Sequence, residues 1–229
     1  MKKLFVFLFI ILSFPYVNAE IFISEDFNNM SMWEALIFPK IDNTTNYTIE
    51  DGGVLRIESN NSASGIKMNS TFDVYKYPVL SWSWMAKNII ESGDARKKSG
   101  DDYPVRIYVI FKYDPEQAGF GEKIQYNAIK LIYGEYPPKA SLNYIWSNKK
   151  LNTDFLFSPY TKKAAMISID AGKEKLGIWQ SHSVNILEDY KKIFGSDPPK
   201  IASLAIMGDS DNTGESSLAF IDYIKLESE

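Results

Sequence analysis

Apolar and polar residues alternate with a period of two along most of the chain, the pattern of strands whose side chains point to opposite faces of a sheet. The clearest predicted strands are Val54–Ser59, Val79–Met85, Val105–Tyr113, Ala128–Tyr133, Ser141–Trp146, Ala164–Asp170, Ile201–Met207 and Leu218–Leu226. Eight or more strands in a chain of 229 residues predict an all-β fold, built either as two packed sheets or as a barrel.

One segment instead shows the spacing of an amphipathic helix. Its apolar residues fall on one helical face, and they are Ile186, Leu187, Tyr190, Ile193 and Phe194. Gly195 is suited to end this helix, and Pro198 and Pro199 prevent it from continuing. We therefore expect one short helix near residues 185–194, at a sheet edge or at one end of the β-structure.

The first residues have the pattern of a secretory signal peptide. Lys2 and Lys3 precede an apolar run from Leu4 to Phe14, and small or compact side chains lead up to a predicted cleavage site after Ala19. The run is too short to cross a bilayer core of about 30 Å. The expectation is a periplasmic or secreted protein, with a signal peptide over residues 1–19, one β-sandwich domain over residues 20–229 and no stable membrane insertion.

Composition narrows the classes of partner. Without Lys2 and Lys3 the chain has 23 basic and 29 acidic residues, a net charge of −6, so nucleic acid is not expected as a partner. The chain has no cysteine, which excludes disulfides and lipid attachment at a cysteine. Its stability must therefore come from a hydrophobic core.

Two neighbouring predicted strands carry the first candidate ligand-binding residues. Trp82 and Trp84 share one face of the strand Val79–Met85, and Arg106 and Tyr108 share one face of the next strand. If the two faces align, a sugar ring could stack on the indoles and pair its hydroxyls with the polar groups. The alternative for both tryptophans is packing in the core, where large aromatic side chains are also common.

Further candidates lie on the next strand and in a polar loop. Asn143 alternates with aromatic residues that include Trp146, and it is expected either to contact a ligand or to face water from an edge strand. The polar stretch from Glu91 to Asp102 is predicted to be either a loop at one rim of the fold, where β-sandwiches often place binding residues, or a solvated hairpin loop without a ligand.

A structural Ca²⁺ ion is the one cofactor that the sequence suggests. The loop Met207–Glu215 is dense in side-chain oxygens, with Asp209 and Asn212 among them, and predicts either a cation site or a tight turn. Glu25 and Asp222, near opposite ends of the mature chain, would form a second candidate metal site if the first and last strands were neighbours.

Few residues are suited to catalysis. The single histidine, His182, is expected to be structural, and no nucleophile elbow or phosphate-binding loop is present. Carboxylate chemistry remains, because Asp101, Asp102, Asp209 and Asp211 include potential acid and base pairs for glycoside hydrolysis if two of them face each other across a groove.

Five motifs support a resemblance to a known family. In chain order they are Ser81–Trp84, Gly100–Phe111, Leu142–Ser147, Glu188–Gly195 and Gly208–Gly214. Together they resemble a family of exported bacterial proteins known only as a domain of unknown function, over roughly Leu80 to Leu226. The resemblance implies a periplasmic or secreted, β-rich protein and supplies no catalytic residues. The chain departs from the expected pattern at Val184, where a basic residue is expected before Asn185.

The two ends of the mature chain are similar to those of another group of proteins. Glu25-Asp26-Phe27 with Trp33, and Phe220–Leu226, look like the first and last strands of jelly-roll carbohydrate-binding modules. This similarity implies a jelly-roll-like β-sandwich and says little by itself about function.

Three functions fit these features. The first is binding of a cell-envelope or extracellular polysaccharide through the tryptophan pair, Arg106 and their neighbours. The second is cleavage of a polysaccharide by a carboxylate pair, Asp101 or Asp102 with Asp211. The third is a structural or assembly subunit without a small ligand, which predicts an exposed apolar patch and a protein partner that the sequence does not identify.

Overall fold

The computed structural model describes residues 19–133 and 136–229. Within these ranges lie a short 3-10 turn at Lys98–Gly100 and two α-helices, α1 (Phe120–Tyr133) and α2 (Ile186–Phe194). The strands are β1 (Ile21–Glu25), β2 (Trp33–Leu36), β3 (Asn46–Glu50), β4 (Val54–Asn60), β5 (Ala63–Met68), β6 (Phe72–Asp73), β7 (Val79–Ala86), β8 (Arg106–Phe111), β9 (Ala140–Ser147), β10 (Leu156–Ser158), β11 (Thr161–Ala171), β12 (Gln180–Asn185), β13 (Ile201–Asp209) and β14 (Ser216–Glu227).

The strands form two sheets. Sheet A has the order β12-β7-β14-β4-β3, with β1 also paired to β14, and sheet B has the order β10-β11-β9-β8-β13-β5-β2, with β6 also paired to β13. The strand pairs are antiparallel except for β9 and β11, which are parallel. The predicted all-β, jelly-roll-like sandwich is therefore confirmed.

The core lies between the two sheets, and the alternation in the sequence accounts for it. In β8, Ile107, Val109 and Phe111 are fully buried, whereas the intervening Tyr108 and Ile110 are partly exposed on the outer face of sheet B. Seven of the eight predicted strands coincide with observed strands. Because side chains alternate between faces, this agreement also fixes which residues point outward from each sheet.

The first and last strands of the described chain are neighbours, which was the condition set for the second candidate metal site. β1 pairs with β14 in antiparallel register, with Glu25 opposite Ile224. This pairing places the first and the last strand in the same sheet, sheet A.

Helix α2 confirms the predicted helix. The Asn185 side chain accepts hydrogen bonds from the amides of Leu187 and Glu188 at its start. Gly195 ends the helix in the left-handed conformation with φ 68°, which glycine adopts without steric cost. Ile186 and Tyr190 are buried, and the Tyr190 ring packs on Phe111 at a centroid distance of 4.6 Å.

The predicted strand Ala128–Tyr133 is wrong, because this segment is the second half of helix α1. The helix is anchored by Tyr126, whose ring stacks on Tyr113 at 3.7 Å. Its other face carries Phe120, which is 81% exposed, and Leu131, which is 88% exposed. Residues 128–133 are a short, mostly apolar run, which by itself does not distinguish a strand from a helix whose apolar stripe faces outward.

Residues 1–18 lie outside the described residues, so the signal peptide and the assignment of residues 20–229 to one domain stay predictions. No helix in the described part of the chain is long and apolar enough to cross a membrane.

Candidate functional site

The outer face of sheet B carries the residues from which a pocket is built. The strand register places Met166 beside Asn143 and Asn143 beside Tyr108, and at the next level it places Arg106 beside Met207. Each of these side chains points away from the core because its neighbours along the strand point into it. Alternation and register together therefore gather polar and sulfur-containing side chains on one patch.

A pocket of about 900 Å³ lies over this patch. Its floor comes from β8, β9, β11 and β13, and its walls come from the segment after β2, the turn between β10 and β11 and the loop after β13. The lining residues are Phe38, Pro39, Lys40, Ile41, Ala63, Asp101, Arg106, Tyr108, Asn143, Ser158, Tyr160, Ala164, Met166, Met207, Asp209, Asp211 and Asn212. Most of the lining surface is apolar, and Asp101 and Asp209 lie beside Arg106 within it.

Arg106 is the central charged group of the pocket floor and is only 5% exposed. Its Nη2 contacts the Asp209 carboxylate, and its Nη1 lies 3.9 Å from Asp101. The guanidinium carbon lies 5.1 Å from the ring centre of Tyr103 and 5.4 Å from that of Tyr108, within the range of cation–π interactions. Burial opposes the charge of Arg106, but the charge of Asp209 holds its pKa above the ordinary value.

Two buried polar atoms at this site have no hydrogen-bond partner among residues 19–133 and 136–229: Arg106 Nε and Asn143 Oδ1. Asn143 is 2% exposed, and its amide Nδ2 approaches only the sulfur of Met166, at 3.1 Å. Buried polar groups are almost always hydrogen-bonded, and each exception requires an explanation. Their place in the pocket lining offers one, since a ligand could bring the missing partners.

Asp102 has a different task, which is to hold the loop after β13. Its Oδ1 accepts hydrogen bonds from the amide and side chain of Asn212, at 3.3 and 2.9 Å. Its Oδ2 accepts hydrogen bonds from the amide and hydroxyl of Thr213, both at 2.7 Å. The four bonds position Asp211 and Asn212 at the pocket.

The oxygens of Asp102, Asp209 and Asp211 lie within 4.8 Å of one another, but their partners do not favour a metal ion. Asp102 already accepts four hydrogen bonds, and Asp209 binds the Arg106 guanidinium and the amide of Tyr103. A metal ion bound by all three carboxylates would have to displace these donors. The predicted turn at Met207–Glu215 fits the geometry better than the predicted cation site.

One wall of the pocket is aromatic. Tyr160, which is 55% exposed, donates a hydrogen bond from its hydroxyl to Asn212 Oδ1 at 2.9 Å. The hydroxyl of Tyr108 lies 3.5 Å from the sulfur of Met207. The two rings border the same cavity as the charged end.

Asp211 is the carboxylate of the pocket with the fewest internal partners. Its one side-chain contact within the described residues is a long one, 3.5 Å from Asn212 Nδ2. Burial, and then the negative charge of Asp102, raise the pKa of the Asp211 carboxyl above its ordinary value. Negative charge at this end of the pocket is therefore incompletely compensated.

The structure corrects the predicted role of the tryptophans. Trp82, Trp84 and Trp146 are fully buried between the sheets and do not line the pocket. Trp82 and Trp84 share one face of β7, as predicted, but that face is the inner face of sheet A, whereas Arg106 and Tyr108 are on the outer face of sheet B. The two faces do not align, so the tryptophans cannot stack on a ligand bound beside Arg106.

His182 and Trp84 form part of a second buried polar group, which links the sheets. Asp170 of β11 accepts hydrogen bonds from Trp84 Nε1 at 2.7 Å, from His182 Nε2 at 2.6 Å and from Lys175 Nζ at 3.0 Å. This group connects sheet B to sheet A away from the pocket lining, in agreement with the expected structural role of the histidine.

The candidate metal pair Glu25 and Asp222 consists of a buried and an exposed carboxylate on two neighbouring strands. The buried Glu25 carboxylate accepts hydrogen bonds from the amide of Phe27 at 2.7 Å and from Trp33 Nε1 at 2.8 Å. Asp222 is exposed. These two donors give the Glu25 carboxylate a structural task, and the binding of calcium elsewhere stays a prediction.

Of the other predicted site residues, Arg106, Tyr108, Asn143, Asp209 and Asn212 line the pocket, as do Asp101 and Asp211. Sequence reasoning missed Phe38, Ile41, Tyr160, Met166 and Met207. The alternation of side chains along β11 and β13 could have indicated that the two methionines point outward. Phe38, Ile41 and Tyr160 come from connecting segments, where no periodicity indicates a direction.

Comparison with known families identifies the chain at the level of its family. Residues 31–225 match the family described as "Protein of unknown function (DUF3047)". The chain belongs to this family. The match extends the resemblance recognised from the five motifs to nearly all of the described residues. No curated protein matches the chain in sequence.

Several solved structures are similar in fold. A family 11 carbohydrate-binding module of a Clostridium thermocellum cellulase is 10% identical, with a TM-score of 0.42, and the alignment covers 94% of this chain and 97% of that one. Winged bean acidic lectin is 9% identical, with a TM-score of 0.44 and coverage of 92% and 99%. A family 30 carbohydrate-binding module from Clostridium thermocellum is 12% identical, with a TM-score of 0.43 and coverage of 90% and 98%. Likeness at this level carries no argument about a ligand, which must come from the pocket itself.

Proposed function

We propose that the protein is an exported carbohydrate-binding protein and that its ligand, part of a cell-envelope or extracellular polysaccharide, occupies the pocket on the outer face of sheet B. The observation that carries this proposal is the combination, in one cavity of about 900 Å³, of tyrosine rings with buried polar atoms that have no partner in the described chain. A pyranose ring has an apolar face that packs on an aromatic ring and hydroxyl groups that both donate and accept hydrogen bonds.

The pocket offers both kinds of contact. Tyr108 and Tyr160 supply ring surface, Arg106 Nε supplies a donor, and Asn143 Oδ1 and Asp211 supply acceptors. Such a mixture of an apolar lining and a few placed polar groups is typical of small-ligand sites. The tryptophan pair of the original hypothesis is replaced by tyrosines in this role.

Export is supported by the start of the sequence and is compatible with the position of Glu20. In the structure Glu20, the residue after the predicted cleavage site, donates its amide to Ser228 Oγ at 2.8 Å and accepts a hydrogen bond from the Tyr77 hydroxyl at 2.7 Å. Mass spectrometry of the protein recovered from a periplasmic or culture fraction tests this part of the proposal. A mature chain that begins at Glu20 is expected, and an uncleaved chain in the cytoplasm would contradict export.

A glycan array probed with residues 20–229 tests the binding function. We expect retention on at least one class of polysaccharide fragment, and loss of about tenfold in affinity when Tyr160 is replaced by alanine, because an aromatic contact and its hydrogen bond are removed. Tyr75→Ala is the matched control, since Tyr75 is 46% exposed and lies outside the pocket lining. Absence of binding to every glycan, or equal losses in the two variants, would overturn the proposal.

Cleavage of a polysaccharide is a second candidate, favoured by one observation. The pKa of Asp211 is raised by burial and by Asp102, as required of a general acid, and Asp101 is a second carboxylate in the same pocket. Release of reducing ends from a bound polysaccharide that is abolished in Asp211→Asn would establish cleavage. Binding without any release would leave the protein as a binding module.

A further inference from the structure

The charges of the pocket are unbalanced. Asp101, Asp209 and Asp211 line it and Asp102 lies directly behind its loop, while Arg106 is the one buried cation among its described lining residues. Arg106 is already in contact with Asp209, and Asp101 is its more distant partner at 3.9 Å. An anionic ligand would therefore share the guanidinium with Asp209 and would face the remaining carboxylates.

Lysines at the rim do not restore the balance. Lys40 lines the pocket but is exposed, and it takes part in no ion pair among the described residues. Lys98 is exposed and lies over the ring of Tyr160, with its Nζ 5.1 Å from the ring centre. An exposed ammonium in water compensates buried charge weakly.

Hydrogen-bonding capacity is unbalanced in the same direction. Asn143 Oδ1 is an acceptor without a donor, and Asp211 has only a long contact to Asn212 Nδ2. Arg106 Nε is the fully buried donor of the described lining that lacks a partner. A ligand that brings hydrogen-bond donors would therefore satisfy Asn143 Oδ1 and Asp211.

We propose that the ligand carries a protonated amino group, as in an amino sugar with a free amine, and that this group binds at the end of the pocket formed by Asp101, Asn143 and Asp211. This inference rests on the proposed carbohydrate-binding function and specifies its substrate class. An ammonium group provides three donors and a positive charge, which match both deficits. Hydrogen bonds between charged partners are roughly twice as strong as neutral ones, so the amine makes a large contribution to affinity.

Three oligosaccharides of the same backbone test the proposal because they differ only at carbon 2 of each sugar. Tetramers of β-1,4-linked glucosamine, N-acetylglucosamine and glucose carry an amine, an acetamide and a hydroxyl there. Titration calorimetry at pH 6 with residues 20–229 is expected to show binding of the glucosamine tetramer at least about tenfold tighter than of the other two, the equivalent of one charge-assisted contact.

Asp211→Asn removes the least compensated carboxylate with almost no change of shape. It is expected to weaken binding of the glucosamine tetramer about tenfold and to change binding of the glucose tetramer less than about twofold. Asp222→Asn is the matched control, because it removes the same charge from an exposed position outside the pocket lining. Circular dichroism of both variants verifies that they are folded.

The outcomes test the amino-sugar inference separately from the proposed carbohydrate-binding function. Equal affinity of the wild type for the amine and hydroxyl tetramers overturns the amino-sugar inference and leaves carbohydrate binding intact. Equal weakening by Asp211→Asn and Asp222→Asn assigns the preference to overall charge and also overturns the inference. Failure of all three tetramers to bind at millimolar concentration overturns the inference, and the proposed function falls with it only if the glycan array is blank as well.

Discussion

Two buried carboxylates, Asp170 and Asp209, have similar surroundings, but their pKa values are shifted in opposite directions. Each is buried and each is in contact with a cationic side chain. Burial alone would raise the pKa of Asp170, but hydrogen bonds from His182, Trp84 and Lys175 lower it to about 2. Burial and the neighbouring carboxylates of Asp102 and Asp101 instead raise the pKa of Asp209, although Arg106 opposes them.

The difference separates a structural polar group from one that is proposed to bind a ligand. The group around Asp170 joins two sheets, and the carboxylate receives three donors from the chain itself. The group around Asp209 lies under a pocket, where Arg106 Nε and Asn143 Oδ1 are left without partners in the described residues. Trp82 Nε1 is also unpartnered, but this residue is buried in the core and does not line the pocket.

The largest expected effect is on stability, at the link between the sheets. Asp170→Ala leaves His182, Lys175 and the indole of Trp84 without their acceptor, and we expect the free energy of unfolding to fall by about 3–5 kcal/mol. Chemical denaturation measures this loss. Asp197→Ala, which removes a 73% exposed ion-pair partner of Lys191, is the control and should cost less than about 1 kcal/mol. Similar small losses in both variants would show that Asp170 does not hold the sheets together.

A smaller effect is expected from acid. Since the pKa of Asp170 is lowered from its ordinary value near 3.8 to about 2, its ionised form stabilises the fold above pH 4, and this stabilisation is lost as the pH falls towards 2. The corresponding change in the free energy of unfolding is about 2 kcal/mol. Between pH 5 and pH 2 the free energy of unfolding should therefore fall more steeply with decreasing pH in the wild type than in Asp170→Asn. Equal slopes would contradict the assignment.

The smallest expected change in stability comes from the pocket. Asn143→Leu replaces a side chain with an unpartnered oxygen by an apolar one of similar volume, so the free energy of unfolding should stay within about 1 kcal/mol of the wild type or rise. Binding of the glycan identified on the array should weaken at the same time, because the acceptor is gone. A loss of more than about 2 kcal/mol in stability would mean that Asn143 is a structural residue, as Asp170 is.

The sequence predicted the sandwich well because period two is a property of each strand by itself. The outward direction of Arg106, Tyr108 and Asn143 followed from this alternation and is confirmed. Whether a face is turned to the other sheet or to solvent is a property of the whole fold. For that reason Trp82 and Trp84 were correctly placed on one face, and yet the face proved to be the core.

The pocket itself was only partly predictable. Its floor follows from strand phase, but Phe38, Ile41 and Tyr160 belong to connections whose course depends on contacts far along the chain. Tyr160, for example, is held by Asn212, which in turn is held by Asp102.

Helix α1 was not predicted for another reason. Its exposed residues include Phe120 and Leu131, so it lacks the polar outer face that identifies most surface helices. An exposed apolar patch was the feature expected of an assembly subunit, and that function stays a hypothesis.

The hydrogen bonds between Asp102 and the loop after β13 also determine when the pocket can form during folding. Asp102 and Asn212 are separated by 110 positions in the sequence, and Arg106 meets Asp209 across 103. Closing such long segments is entropically costly and tends to occur late in folding. A chain still emerging from a ribosome therefore lacks the pocket until β13 has joined the sheet. Under the proposed function, ligand capture would report completed folding, and a chain truncated before Asp209 would not bind however much of the remaining fold had formed.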